Sequence, residues 1–130
     1  MDINNTFDVI AFMSAVAGQN ADKLRNFFTE NAVINWHDSN ESFSVEEYLR
    51  ANCEYPGKWK ADVIRTEAAD SVTIFAAKVY NNEGFAVYVT SFAELVNGKI
   101  SRLDEYFADC GEPPQWRKDM NIGKPINNFI

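Results

Sequence analysis

Four β-rich runs follow one another in the second half of the chain, at residues 59–67, 72–80, 85–96 and 100–107, and only turn formers separate them. The separators are Ala69-Asp70-Ser71, Asn81-Asn82-Glu83-Gly84 and Asn97-Gly98. None is long enough for a crossover helix, so successive runs must pair antiparallel as a meander. Asn-Gly is the strongest short hairpin signal, because both residues tolerate the positive φ that a tight turn needs. Strands as long as the third run cannot stay flat; they coil and bend, and the sheet takes on a concave side.

The first half reads as helix. Between Phe7 and Ala17 only Asp8 and Ser14 are polar, so this helix must be covered on several sides. Asn5 is its expected N-cap and Gly18 its stop. Asn20 restarts helix, with Ala21, Leu24 and Phe28 at helical spacing. A brief strand at 32–37 and a polar turn through Asp38-Ser39-Asn40 lead to Phe43. Ser44-Val45-Glu46-Glu47 is then a capping box, opening a third helix with Val45, Tyr48, Leu49, Asn52 and Cys53 on one face. Tyr55-Pro56-Gly57 ends it. Three helices followed by a four-strand meander is an α+β pattern, with the helices packed over one face of a curved antiparallel sheet. The whole chain, 1–130, reads as one domain with an irregular tail from about residue 111.

Composition narrows the function. A net charge of −7 argues against nucleic acid and anionic membranes, both of which ask for a basic footprint. The longest apolar stretches run to about five residues where a spanning helix needs roughly 20, and the start lacks the features of a signal peptide, so a cytoplasmic location is expected. Cys53 and Cys110 are read as free thiols there. A single histidine with scattered carboxylates forms no metal-ligand spacing, so neither metal nor cofactor is expected. Ten Phe, five Tyr and three Trp exceed the needs of a small core, which points to a walled cavity and a small-molecule ligand.

The last run carries the chemistry. In "NGKISRLDEYFAD" two carboxylates, Asp104 and Glu105, stand side by side, and a strand sends them to opposite faces. Ser101, Leu103, Glu105 and Phe107 share one face; Arg102 and Asp104 share the other.

The order helix, helix, short strand, helix, meander, together with "ADKLRNFFTENAVINWHD" and "NGKISRLDEYFAD", resembles the SnoaL-like branch of the nuclear transport factor 2 (NTF2-like) superfamily over about residues 5–110. The resemblance implies a cone-shaped, cystatin-like roll with a mostly apolar pocket and a homodimer formed through the outer sheet face. It also implies that the Glu105 face looks into the pocket. In the limonene epoxide hydrolase type a stretch similar to "LDEYF" carries a catalytic acid, which falls on Glu105. That type also needs an Arg-x-Asp pair, and Phe75-Ala76-Ala77-Lys78 has none. In the ketosteroid isomerase type a general-base Asp falls where this chain has Trp36, leaving Asp38 as the nearby substitute.

Glu105 and Asp38 are therefore the candidate catalytic groups. Glu105 among apolar rings would be held partly protonated and fit for acid/base work; the competing reading pairs it with Lys78 or Arg102 as a structural ion. Asp38 either acts as a base or stabilises its turn. The candidate ligand-binding residues are Ser14, Trp36, Tyr48, Trp59, Phe75, Tyr88, Phe92, Leu103, Phe107 and Trp116. Ser14 either bonds its own backbone or points into the cavity. Trp116, in an extended Pro-Pro tail, either lids the pocket or packs on the body. The leading expectation is a protein that binds an apolar, carbonyl- or ring-bearing molecule, with isomerase, cyclase or dehydratase chemistry at Glu105. A non-catalytic binding module and a protein-interaction domain are the alternatives.

Overall fold

The computed structural model describes residues 7–126. Its elements are α1 (Val9–Ala17), α2 (Ala21–Arg25), β1 (Phe28–Trp36), β2 (Glu41–Phe43), α3 (Val45–Cys53), β3 (Lys60–Ala69), β4 (Val72–Tyr80), β5 (Ala86–Val96), β6 (Lys99–Asp109) and α4 (Gln115–Lys118). β3 to β6 pair antiparallel in succession, as the turn chemistry requires. At the last hairpin Asn97 and Gly98 both take positive φ, 51° and 79°, and Asp70 does so at the first.

The sheet as a whole is mixed rather than antiparallel. β1 lies parallel beside β6 and β2 folds back on β1, giving the order β2-β1-β6-β5-β4-β3. β1 is separated from β6 by α3 and four strands, so no tight turn dictates its direction. It also begins at Phe28, where helix was expected. Phe28 pairs with Ile100 and is buried, and this tertiary pairing overrides a helical spacing that α2 sustains for only five residues.

The helix ends follow local rules with small shifts. Asn5 lies outside the described residues; Asp8 caps α1, its carboxylate accepting from the Ala11 amide at 3.0 Å. Gly18 is the C-cap in right-handed conformation, and the left-handed residue is Gln19, φ 53°. The capping box at α3 is complete: the Glu47 amide donates to Ser44 Oγ at 3.3 Å and the Ser44 amide to Glu47 Oε1 at 2.9 Å.

α1 packs on β3 and β4, and α3 on β1. Phe12, Met13, Leu24 and Leu49 bury against Ile34, Phe75, Ile100 and Leu103 on the concave face of the sheet. Register breaks at Val63/Arg65 and Glu94/Leu95 bend the strands, and the curved sheet stays unclosed between its edges β2 and β3. The convex face carries the even-numbered side chains of β5 and, from Arg102 on, of β6, among them the exposed Tyr88, Phe92 and Tyr106. The tail is not wholly extended: after Pro113 and Pro114, α4 makes one helical turn. No helix among the described residues is long and apolar enough to cross a membrane, and Cys53 and Cys110 are unbridged.

Candidate active site and ligand cavity

Strand register builds the site. Phe75, Ser91, Glu105 and Trp36 lie opposite one another across β4, β5, β6 and β1, forming one row on the concave face. Their side chains point the same way, so the two donors flanking Glu105 meet its carboxylate. Ser91 Oγ donates to Oε2 at 2.6 Å and Trp36 Nε1 to Oε1 at 3.2 Å. Glu105 is 5% exposed. Burial raises its carboxyl to about 6 against the pull of the Ser91 and Trp36 hydrogen bonds. Neither cation named as its partner reaches it: Arg102 pairs with Asp104 at 2.8 Å, and Lys78 lies over the Tyr88 ring on the convex side.

Above this row opens a cavity of about 480 Å³, roofed by α1 and α3 and floored by the sheet. Glu105, Trp36, Tyr48, Trp59 and Phe107 all line it. Trp36 organises the wall, meeting Phe43, Phe107 and Tyr48 edge-on at 4.8, 5.5 and 6.2 Å between centroids. Burial, then the nearby Glu105 carboxylate, push the Tyr48 phenol well above its usual range, so it stays a neutral donor. Trp59 closes one side, its Nε1 donating to Pro56 O at 3.1 Å. Its ring lies so close to Gly57 that a Cβ there would come within 3.0 Å of Nε1, and Gly57 also holds φ at 109°. Asp38 stands at the mouth, where its carboxylate accepts from the Phe107 amide at 3.2 Å.

The other named residues fall elsewhere. Phe75 and Leu103 share the concave face but lie wholly within the core beneath the helices; Phe75 packs on Phe7 and Phe12. Ser14 sits on the exposed side of α1, because the sheet covers that helix from one direction only. Tyr88 and Phe92 project from the convex face. Counting pairs back from the Asn97-Gly98 turn puts them opposite Phe107 and Leu103, on the cavity side; the bulge at Glu94/Leu95 shifts the register by one and turns them out. Trp116 is 64% exposed on α4, with the Arg117 guanidinium 5.7 Å from its ring, and does not line the cavity.

Sequence reasoning passed over Ser91, a hydroxyl at an interior position between Val89 and Ala93, which the alternation of β5 could have flagged. It also missed the seam that holds the roof together. Gln19 Nε2 donates to the carbonyls of Asn52 and Tyr55 at 3.0 and 2.6 Å, and Asn52 Nδ2 to that of Val16 at 3.0 Å. Nothing in local pattern announces such a long-range bond.

Comparison with known proteins gives structure without close sequence kinship. No family model matches the chain, and no curated protein does. Solved structures do match. A provisionally assigned ketosteroid isomerase from Kribbella flavida superposes with a TM-score of 0.74 at 21% identity, over 91% of this chain and 87% of that one. An NTF2-like protein of unknown function from Burkholderia xenovorans gives 0.72 at 24%, over 90% and 91%. A provisionally assigned SnoaL-like polyketide cyclase from a Jannaschia species gives 0.65 at 13%, over 87% and 86%. The chain therefore has the NTF2-like fold. At these identities the likeness establishes fold alone.

Proposed function

We propose that the protein takes a small, largely apolar molecule carrying a carbonyl or a ring into its concave cavity, and that Glu105 anchors it and moves a proton on it. The observation that carries this reading is a buried carboxyl, raised to about 6, facing open space rather than a counter-ion. A base poised near neutrality is matched to proton abstraction and return. Tyr48, neutral and next to the same space, supplies a hydroxyl that can donate to a carbonyl oxygen. That pairing suits the proton shifts of isomerase, cyclase and dehydratase chemistry, and the likeness to provisionally assigned isomerase and cyclase structures favours the first two. Exchange chemistry tests it: cyclic ketones incubated with the protein in D2O should gain deuterium beside the carbonyl, and Glu105→Gln should slow this by about a hundredfold or more. Unchanged exchange in the variant would remove Glu105 from the mechanism.

A second reading has its own support. Both Glu105 oxygens already accept a hydrogen bond, which suits a fixed polar anchor in a binding module without turnover. Binding without exchange in the same experiment would select it.

We also propose a homodimer through the convex face, where Tyr88, Phe92, Tyr106 and Val33 leave apolar surface uncovered. Sedimentation at micromolar concentration should give twice the chain mass, and Phe92→Arg should return it to one; a wild-type monomer would refute this.

A further inference from the structure

The charge of the cavity is one-sided. Besides Glu105 it is lined by Asp38, Glu41 and Asp109, and among the described residues no Lys, Arg or His lines it. Elsewhere carboxylates find cations readily: Asp22 and Glu46 share Arg25, Glu54 meets Arg50, Glu67 meets Arg65 and Glu112 meets Lys118. None of the four cavity carboxylates forms a salt bridge with a described residue. Asp38 takes the Phe107 amide, and Glu41 takes the Ser39 hydroxyl at 2.7 Å. Four acids with no counter-ion among the described residues, beside apolar walls, repel one another and favour whatever positive charge arrives.

Two further features say what kind of charge. Tyr48 is 1% exposed, and its hydroxyl makes no hydrogen bond to a described residue. Tyr48 lines the cavity with Glu105, whose carboxylate helps to keep the phenol neutral. A neutral phenol and a buried carboxyl thus border the deep end. At the mouth the rings of Tyr55 and Trp59 stand 5.7 Å apart, with Phe85 68% exposed nearby. Ring faces beside carboxylates select ammonium groups. A metal ion is a poorer fit, because among the described residues no three His, Cys, Asp or Glu side chains come together to hold one.

From this arrangement we infer that the cavity's ligand is an organic cation, with an apolar body reaching Glu105 and Tyr48 and an ammonium head held at the mouth among Asp38, Glu41, Asp109 and the rings of Trp59 and Phe85. The inference rests on reading the cavity as the ligand site. β6 sets the length: Glu105 and Asp109 share a face four residues apart, about 13 Å along the strand. A neutral ligand would leave the rim charges unanswered, and an anionic one would be repelled at the mouth.

A matched series with one phenylpropyl body tests it: the trimethylammonium compound, its neutral tert-butyl isostere and the carboxylate, titrated by calorimetry at pH 7.5 and low salt. The ammonium should bind about tenfold tighter than the isostere, with the carboxylate weakest. In an Asp38→Asn/Glu41→Gln/Asp109→Asn variant the ammonium's advantage should fall below about twofold, and salt should narrow it in the wild type. These three side chains are exposed, and circular dichroism checks that the variant folds. Equal affinity for ammonium and isostere would overturn the cation assignment and leave a neutral-ligand site. Silence from the series while neutral fragments shift the Glu105 and Tyr48 resonances would do the same. Silence from both would sink the cavity reading and the cation with it.

Discussion

On β6 the Asp104 carboxyl faces the convex side of the sheet, where Arg102 and Asn35 donate to it at 2.8 and 3.0 Å and His37 Nε2 lies 2.7 Å away. One residue on, the Glu105 carboxyl faces the cavity, where one serine and one indole meet it and no cation among the described residues does. Burial pulls the Asp104 carboxyl upward, but the hydrogen bonds from Arg102, His37 and Asn35 outweigh it and hold the group at about 2. Burial wins at Glu105 and lifts it to about 6. Two acids of nearly equal intrinsic strength are thus set far apart by the alternation of a strand between a ring-lined hollow and a polar, half-wet surface. What separates an ion-paired carboxylate from a desolvated one here is which face the strand presents, and residue type says nothing about it.

The comparison breaks most clearly at Glu105. A carboxyl raised from 4.5 to about 6 gives stability that is complete below pH 4.5 and lost as pH rises through 6. Glu105→Gln keeps the shape while removing the charge: its amide oxygen can still accept from Trp36 Nε1, and its NH2 can donate to a Ser91 hydroxyl that turns to accept. It should therefore stabilise the protein by about 2 kcal/mol at pH 7.5 and by almost nothing at pH 4, measured by urea unfolding. A destabilised variant at pH 7.5 would mean that the carboxylate is welcome in its pocket. Asp104→Asn should act in the opposite sense. A carboxyl held at about 2 gives stability present above its unfolded value of 3.8 and lost as pH falls through 2. With solvent screening the loss at pH 7 should be about 1.5 kcal/mol, vanishing near pH 2. Equal signs for the two variants would dissolve the contrast.

The parts of the molecule legible in the sequence are those fixed by short-range chemistry. Asn97-Gly98 demands its hairpin, Ser44 and Glu47 their capping box, and period-two alternation puts Glu105 opposite in sense to Asp104. The parallel docking of β1 on β6 joins residues such as Trp36 and Glu105 across most of the chain, and no local pattern encodes that. The site suffered from one irregularity more than from any lack of signal. Without the bulge at Glu94/Leu95, Ser91 would sit opposite Asp104, and Tyr88 and Phe92 would face the cavity; with it, Ser91 meets Glu105 and the two rings turn outward. Counting aromatics points to a cavity, but cannot say which of them wall it.

Ser91 offers the finest adjustment of the contrast. It is fully buried, and its hydroxyl is one of two groups that keep Glu105 from rising further. Ser91→Ala removes a 2.6 Å hydrogen bond without adding volume, so the folded carboxyl should titrate above 6, which carboxyl-selective NMR would follow directly. The stability cost should depend on pH in a definite sense. Below pH 4.5 the neutral acid loses a modest bond; above 6 the ion loses a charge-assisted one, so the cost should grow with pH to about 1 kcal/mol. In Glu105→Gln that growth should disappear, because no charge remains for Ser91 to serve, and the two substitutions should be non-additive by about the same amount. A Ser91→Ala cost independent of pH would place the hydroxyl's main contribution in packing and leave Trp36 as the donor that tunes Glu105.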